Sequence, residues 1–399
     1  MKKEYRKIHL LLLLALLLTV SCTSTQPTSA DSSIQKDGKT TDVKTDHPIL
    51  KNIRLPDGFE IGIFADDLGK SLNYPGPNRA VRFMEFYKDV LFASIPSAGV
   101  IVALPDKNKD GKADEVVKVI ENLNRPHGIA FKDDYMYVAN EDSIIKVKIN
   151  DNLKADISTK EYFIDLPSGG HWTRTIRIKD NNLYVSIGSS CNVCIEDDER
   201  RAAILKCDLS GNCNIFAKGI RNAVGFVLNP ETSDIYATEN SRDYLGDDLP
   251  PDEIDIIKEG KHYGWPICYG KNIHDTDFDK NTYIRNPCME PFEMPSFIDI
   301  PAHSAPLGLA FNLGDNFPEE YKGGLFVAYH GSWNRKEKTG YKIVSIDINS
   351  KGISDFATGW LTEDGQVLGR PVDVIFDKEG IMYVSDDNAG VIYRVWYEG

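Results

Sequence analysis

One motif recurs six times along this 399-residue chain, and it limits the possible fold more than any bulk property does. Each copy is an apolar, β-rich run, a short polar turn, and a second run rich in Tyr, Val and Ile. The copies read RAVRFMEFYKDVLFASI from Arg79, HGIAFKDDYMYVAN from His127 and RTIRIKDNNLYVSIG from Arg174. They continue as VGFVLNPETSDIYATEN from Val224, LGLAFNLGDNFPEEYKGGLFVAYHG from Leu307 and VDVIFDKEGIMYVSDD from Val372. Turns such as Asp-Asp, Asp-Asn-Asn and Lys-Glu-Gly have the chemistry that hairpins favour. A third run often follows, as in SIIKVKI, YKIVSIDI and GVIYRVWY. One such unit cannot bury its apolar face alone, whereas neighbouring copies can cover each other. Six units therefore predict an all-β chain, a six-bladed β-propeller of four-stranded antiparallel blades. A sandwich or a pair of barrels would not repeat one motif six times. The run FEIGIFA, starting at Phe59, is expected to pair into the last blade, closing the ring and hiding an edge strand.

The N-terminus is of another kind. Lys2, Lys3, Arg6 and Lys7 precede an apolar run from Leu10 to Val20, too short to span a bilayer and built like a signal-peptide core. It ends at Ser21-Cys22, as bacterial lipoprotein signals do. Residues 1–21 are thus expected to be a signal peptide and Cys22 the lipidation site. The protein would be exported to the periplasmic side, touching the membrane only through that N-terminal lipid anchor. Residues 22–50, rich in Ser, Thr, Asp and Lys, read as a flexible tether. Residues 51–399 read as one propeller domain, a length that closed all-β architectures reach.

The formal charge of −14 repels phosphate backbones and argues against nucleic acid as a partner. Besides Cys22 there are six cysteines, an even number that an oxidising compartment turns into disulfides, with fifteen pairings open. Proximity in sequence favours Cys191–Cys194, Cys207–Cys213 and Cys268–Cys288. A c-type haem site at Cys-Asn-Val-Cys is excluded, because Ile195 stands where histidine is required. The long gap between the fourth and fifth repeats holds Cys268 and Cys288 and reads as a disulfide-stapled insertion over one face.

Polar residues fall just before the first strand of each repeat: Arg79, His127, His171 with Arg174, Arg221-Asn222, His303 and Arg370. Their shared phase predicts convergence on the mouth of the central channel. Clustered cations in an acidic protein suggest a bound anion with carboxylates, and a histidine among them suggests proton transfer.

Four segments carry a family resemblance: GIRNAVGF at 219–226, PDEIDIIKEGKHYGWP at 251–266, HGSWNR at 330–335 and GRPVDVIFDKEGIMYVSDD at 369–387. In order and spacing the chain resembles the soluble quinoprotein glucose/sorbosone dehydrogenases, which use pyrroloquinoline quinone (PQQ) and calcium. The resemblance implies a PQQ-dependent oxidoreductase of an aldose or related sugar aldehyde, passing electrons to a cytochrome or quinone. It implies that His171, in GGHWTR, is the general base and that Arg221, Asn222, Arg335 and Arg370 meet the cofactor. His127 and His303 would face the substrate.

The pattern departs from the family where a Gly-Pro loop would hold calcium, for Ser241-Arg242 stands there, followed by YLGDDLPP. Calcium is expected on the backbone carbonyls of Ser241 and Arg242 with Asp243, or with Asp247 or Asp248. A Trp-Pro-Thr substrate wall is replaced by Pro301-Ala302-His303, which favours the sorbosone-like branch. A second calcium loop is possible at DKNKDGKAD, through Asp106, Asn108, Asp110 and Asp114, although Val117 stands where the bidentate Glu is expected. Two other readings stay open: a calcium-dependent lactonase-type propeller, and a non-catalytic binding propeller.

Overall fold

The computed structural model describes residues 47–68, 81–291 and 293–399. The expected signal peptide, Cys22, almost all of the tether and Arg79 lie outside the described residues.

Six sheets follow one another as blades, each with four antiparallel strands and one of them with a fifth strand added at its edge. The first is built from Met84–Tyr87, Val90–Ile95, Val100–Leu104 and Val117–Ile120. The inner strands of the next five blades are Ile129–Lys132, Ile176–Lys179, Phe226–Leu228, Pro306–Phe311 and Pro371–Phe376, the first runs of the repeats. Central strands are covered on both faces and are correspondingly apolar: every residue of Leu325–Tyr329 is buried. Phe59–Ala65 pairs antiparallel with Val391–Tyr397, Phe59 opposite Tyr397, as the outermost strand of blade six. The ring is closed as the sequence predicts. Packing begins slightly before residue 51, because Ile49 and Leu50 are buried in the same cluster as Trp360.

Blades meet face to face through apolar layers. Ala130, Tyr137 and Ile144 of blade two, for example, pack with Ile176, Val185 and Leu205 of blade three. Near the axis the inner strands approach too closely for side chains at two points. A Cβ on Gly225 would collide with the Leu307 carbonyl, and one on Gly308 would stand 2.6 Å from Asp373 Cα. At the axis, Phe83, Val224, Leu307 and Val372 from four blades form a buried apolar plug.

All three expected disulfides are present: Cys191–Cys194, Cys207–Cys213 and Cys268–Cys288. The insertion between the third and fourth strands of blade four adds Lys261–His262, parallel, to the edge of blade three. It also forms a small ribbon, Cys268–Tyr269 with Ile273–His274.

Candidate functional site

Above the plug lies a cleft of about 430 Å³, with Val224 and Leu307 in its lining. Loops leading into successive inner strands supply its walls. His171, Arg221, Asn222, Ser241, Asp243, His303 and Arg370, all singled out in the sequence, line it together.

His171 is held by its Nδ1, which lies 3.0 Å from the Ser189 carbonyl and 2.9 Å from Ser189 Oγ. Donation from Nδ1–H to that carbonyl leaves the Nε2 lone pair free for chemistry in the cleft. Room for the ring comes from Gly188, where a Cβ would stand 2.6 Å from both His171 Cβ and Asn222 Oδ1. Burial, then the positive charge of Arg221, lowers the imidazole pKa to about 4. The ring is neutral at neutral pH and able to accept a proton. We expect NMR titration of the cofactor-free protein to place the His171 midpoint near 4; a midpoint near ~6.5, the ordinary value, would contradict this environment. The same depression makes folding stability fall as the pH drops from the unfolded value towards the folded one, because there the unfolded chain binds the proton first.

Arg221 is nearly buried and fixed on three sides. Nε donates to the Asn192 carbonyl (2.8 Å), Nη1 to the Asn240 carbonyl (2.8 Å) and Nη2 to Asn192 Oδ1 (2.9 Å). Asn192 lies inside the Cys191–Cys194 loop, so that disulfide shapes the brace for the cation. Asp243 stands 3.6 Å away as a partial counter-charge. Asn222 Oδ1 is buried without a hydrogen-bond partner, an acceptor available to a ligand. Arg370 donates from Nη2 to the Gly331 carbonyl (2.6 Å) and lies over the Tyr341 ring, while its Nη1 makes no hydrogen bond among the described residues.

Four residues escaped sequence reasoning. Arg82 and His330 also line the cleft and are joined through Asp387: His330 Nε2 lies 2.8 Å from Asp387 Oδ1, and Arg82 Nη1 reaches Asp387 Oδ2 at 2.5 Å. Burial alone would raise the Asp387 pKa, but His330 and Arg82 overcome it and bring it down to about 2. Asp252 lines the cleft as well; burial raises its pKa to about 6 against hydrogen bonds from the Ser241 and Ala305 N–H groups at 2.9 and 2.8 Å. His330 opens HGSWNR, Asp387 ends the last repeat, and Asp252 begins the acidic pair of the second signature segment. From the last two of the four signature segments Arg335 and Arg370 are singled out on sequence, and the other polar residues in the segments were the available signal for these three.

Other expectations are corrected. His127 is fully buried outside the cleft, with its ring 4.2 Å from Phe83, an edge contact to Trp172 and Thr175 Oγ1 at 3.3 Å. It is a packing residue, without the access a substrate contact needs. Arg174 is buried too, donating to the carbonyls of His171, Thr173 and Pro167 and so bracing the loop that carries His171. Arg335 does not line the cleft: Nη1 donates to the Asp247 carbonyl (2.9 Å) and Nη2 to Asp248 Oδ1 (2.9 Å). The Arg242 side chain turns into the insertion, paired with Asp275 at 2.8 Å and Asp277 at 3.1 Å.

At DKNKDGKAD the carboxylates accept bonds from their own loop. Asp106 takes the Gly111 N–H at 2.9 Å, Asp110 the Lys112 N–H at 2.9 Å and Asp114 the Lys107 N–H at 2.6 Å. Among the described residues, these three carboxylates do not lie within 4.8 Å of one another. The loop is a set of side-chain-capped turns.

Near the cleft the donor set does suit a hard cation. The Ser241 and Arg242 carbonyls accept no hydrogen bond among the described residues, and the Asp243 carboxylate lies beside them. Behind them, Glu239, Glu253 and Asp255 share one face of blade four by register. Glu239 Oε2 and both Asp255 carboxylate oxygens are buried without partners, the neighbouring Phe297 N–H being taken by the Ile254 carbonyl. Burial raises the pKa of all three, Asp255 to about 7.

Comparison with known proteins gives this geometry a lineage. Residues 79–398 match the sequence pattern of the TrAA12-like family. An uncharacterized protein of Borreliella burgdorferi is 36% identical over 370 residues, 88% of this chain and 92% of that one. The pyrroloquinoline quinone-dependent pyranose dehydrogenase of Coprinopsis cinerea is 25% identical over 293 residues, 56% of this chain and 39% of the fungal enzyme, so the match spans well under half of that relative. Among solved structures, a Trichoderma reesei carbohydrate-active enzyme of family AA12 superposes with a TM-score of 0.73 at 21% identity, over 89% of this chain and 99% of the other. The likeness shows the shared propeller fold.

Proposed function

This chain belongs to the TrAA12-like family, and on that premise we propose that it is a PQQ-dependent oxidoreductase acting on an aldose or a related sugar aldehyde. The observation that carries the reading is one cleft that Arg82, Arg221 and Arg370 line together with a neutral, oriented His171, above an apolar floor. The names of relatives support it, since the Coprinopsis enzyme is a quinone-dependent pyranose dehydrogenase. The arginines suit a polycarboxylate cofactor, and the free Nη1 of Arg370 with the unpartnered Asn222 Oδ1 are the groups left for it. A lactonase needs acids converging on one ion; here three arginines and three imidazoles dominate the lining.

When bound, PQQ supplies the two-electron acceptor. The chain's own part is to orient the sugar and move a proton. His171 Nε2 takes the proton of the reacting hydroxyl while the Ser189 carbonyl fixes the tautomer. Arg221 and Arg370 hold charge in place, and Val224 and Leu307 give the cleft an apolar floor. His303, its Nε2 bonded to the Gly246 carbonyl at 2.8 Å, shapes the substrate side. Calcium would be held by the Ser241 and Arg242 carbonyls with Asp243. Export, the lipid anchor at Cys22 and a cytochrome or quinone as electron acceptor belong to the same proposal.

The test is titration of the cofactor-free protein with PQQ, with and without calcium, followed by quinone absorbance and then by dye reduction with a panel of aldoses. We expect stoichiometric binding strengthened by calcium, and dye reduction by at least one sugar. In the same assay Arg370→Ala should weaken PQQ binding by about tenfold to a hundredfold, with Lys restoring only part of it. No binding in either condition would overturn the reading.

A further inference from the structure

Two aromatic rings stand in solvent at the mouth of the cleft: Trp333, 68% exposed, and Tyr244, 73% exposed. Trp333, in the loop after Leu325–Tyr329, lines the cleft; Tyr244 belongs to the loop before Asp252–Ile257. Their centroids are 6.4 Å apart with the ring planes at 88°.

The rings are held in place by their neighbours. Asn334 Nδ2 donates to Asp243 Oδ1 at 2.6 Å, tying together the residues adjacent to the two rings. Arg335 joins the same loops through Asp247 and Asp248 at 2.9 Å. His303 Nε2 bonds the Gly246 carbonyl at 2.8 Å. Tyr244 adopts a left-handed backbone, φ 74°, which a non-glycine residue rarely takes unless its surroundings impose it. Exposed aromatic surface on so firmly stitched a frame is a recognition feature rather than a loose surface residue.

The size of the patch decides what it recognises. Two rings fall far short of the ~800 Å² per partner that a stable protein interface buries. A pyranose ring has an apolar C–H face and hydroxyls around its edge, which suits an aromatic face flanked by polar groups. Asp247 and Asp248 lie on the loop that carries Tyr244 and bond Lys336 and Arg335 of the loop that carries Trp333. The position is continuous with the cleft, so a sugar chain whose end unit reaches His171 leaves the mouth across Trp333. We propose that Trp333 and Tyr244 form a stacking subsite for the second sugar ring, which makes reducing oligosaccharides the preferred substrates. The inference rests on the sugar-oxidising reading of the cleft.

The experiment needs no cofactor. Trp333 is the one exposed residue among five tryptophans and Trp172 also lines the cleft, so the emission change that Trp333→Phe removes is the signal of the subsite. The full chain is titrated with glucose, cellobiose, cellotriose, maltose and maltotriose, with fluorescence and calorimetry as readouts. In one of the two linkage series, affinity should rise about tenfold from monosaccharide to di- or trisaccharide, with a blue shift in emission. Trp333→Ala should bring the ratio of trisaccharide to monosaccharide affinity to near one, Trp333→Phe should keep most of it, and Tyr244→Ala should reduce it. Monosaccharide binding with no gain in either series overturns the subsite but leaves the sugar-oxidising reading intact. A gain that survives Trp333→Ala overturns it as well, and so does absence of all saccharide binding, which leaves the sugar-oxidising reading to its own test by dye reduction. If Trp333→Ala slows only the reduction of a protein electron acceptor, the rings serve acceptor docking and the subsite is wrong.

Discussion

PQQ-loaded protein carrying His171→Ala should turn over sugar about 10²–10⁴ times more slowly than the unaltered protein while still binding PQQ, the range that loss of a positioned general base covers. The expectation follows from how few groups could replace it. Three imidazoles line the cleft, but His330 Nε2 is engaged with Asp387 and His303 Nε2 with the Gly246 carbonyl. Only His171 combines a tautomer set by the Ser189 carbonyl with an Nε2 free of protein partners. Its pKa of about 4 is that of the cofactor-free cleft, and the carboxylates of a bound cofactor would raise it, so the acid limb of kcat/KM for the unaltered protein should lie above 4. That limb should vanish in His171→Gln. Single-turnover kinetics on loaded protein are the measurement, and turnover equal to wild type in His171→Ala would remove the residue from the base role.

Phe59→Ala should destabilise the fold by about 3–5 kcal/mol, as truncation of a buried Phe generally does. Phe59 is the centre of an aromatic group, with ring centroids at 4.7 Å from Phe317, 5.0 Å from Phe356 and Tyr397, and 5.4 Å from Tyr321. It also begins the strand that closes the ring. Denaturant unfolding read by near-UV circular dichroism provides the measurement. Glu60→Ala, one residue on and exposed, is the control and should move the midpoint little. Equal effects at the two positions would mean the aromatic group carries no special share of the stability.

The propeller was legible because its signal is periodic: six hairpins in one phase have few other ways to bury their faces. The closing strand was legible for the same reason, since FEIGIFA has strand chemistry and a ring of blades has a place for it. The site was legible in part. Phase correctly brought His171, Arg221, Asn222, His303 and Arg370 to one mouth. Phase failed for His127, because Phe83 and Trp172 cover a ring that starts from the equivalent backbone position, and packing between side chains has no trace in spacing. Arg335 failed for another reason. An arginine near a site can spend its donors on loops, and which carbonyls or carboxylates lie within reach depends on how those loops fold. The Arg82–Asp387–His330 group was hidden by distance in the chain, since its members come from the first, fifth and sixth repeats.

The apolar floor has a consequence for how a ligand lies in the cleft. Phe83, Val224, Leu307 and Val372 pack together out of solvent, and Val224 and Leu307 also line the cleft. A polar group turned towards them would lose its water and gain no hydrogen bond. The hydrogen-bonding groups stand on the walls instead, so a flat ligand settles with a face on the floor and its polar rim outward. Facial selection of that kind distinguishes ligands by where a hydroxyl points, without a contact dedicated to any one of them.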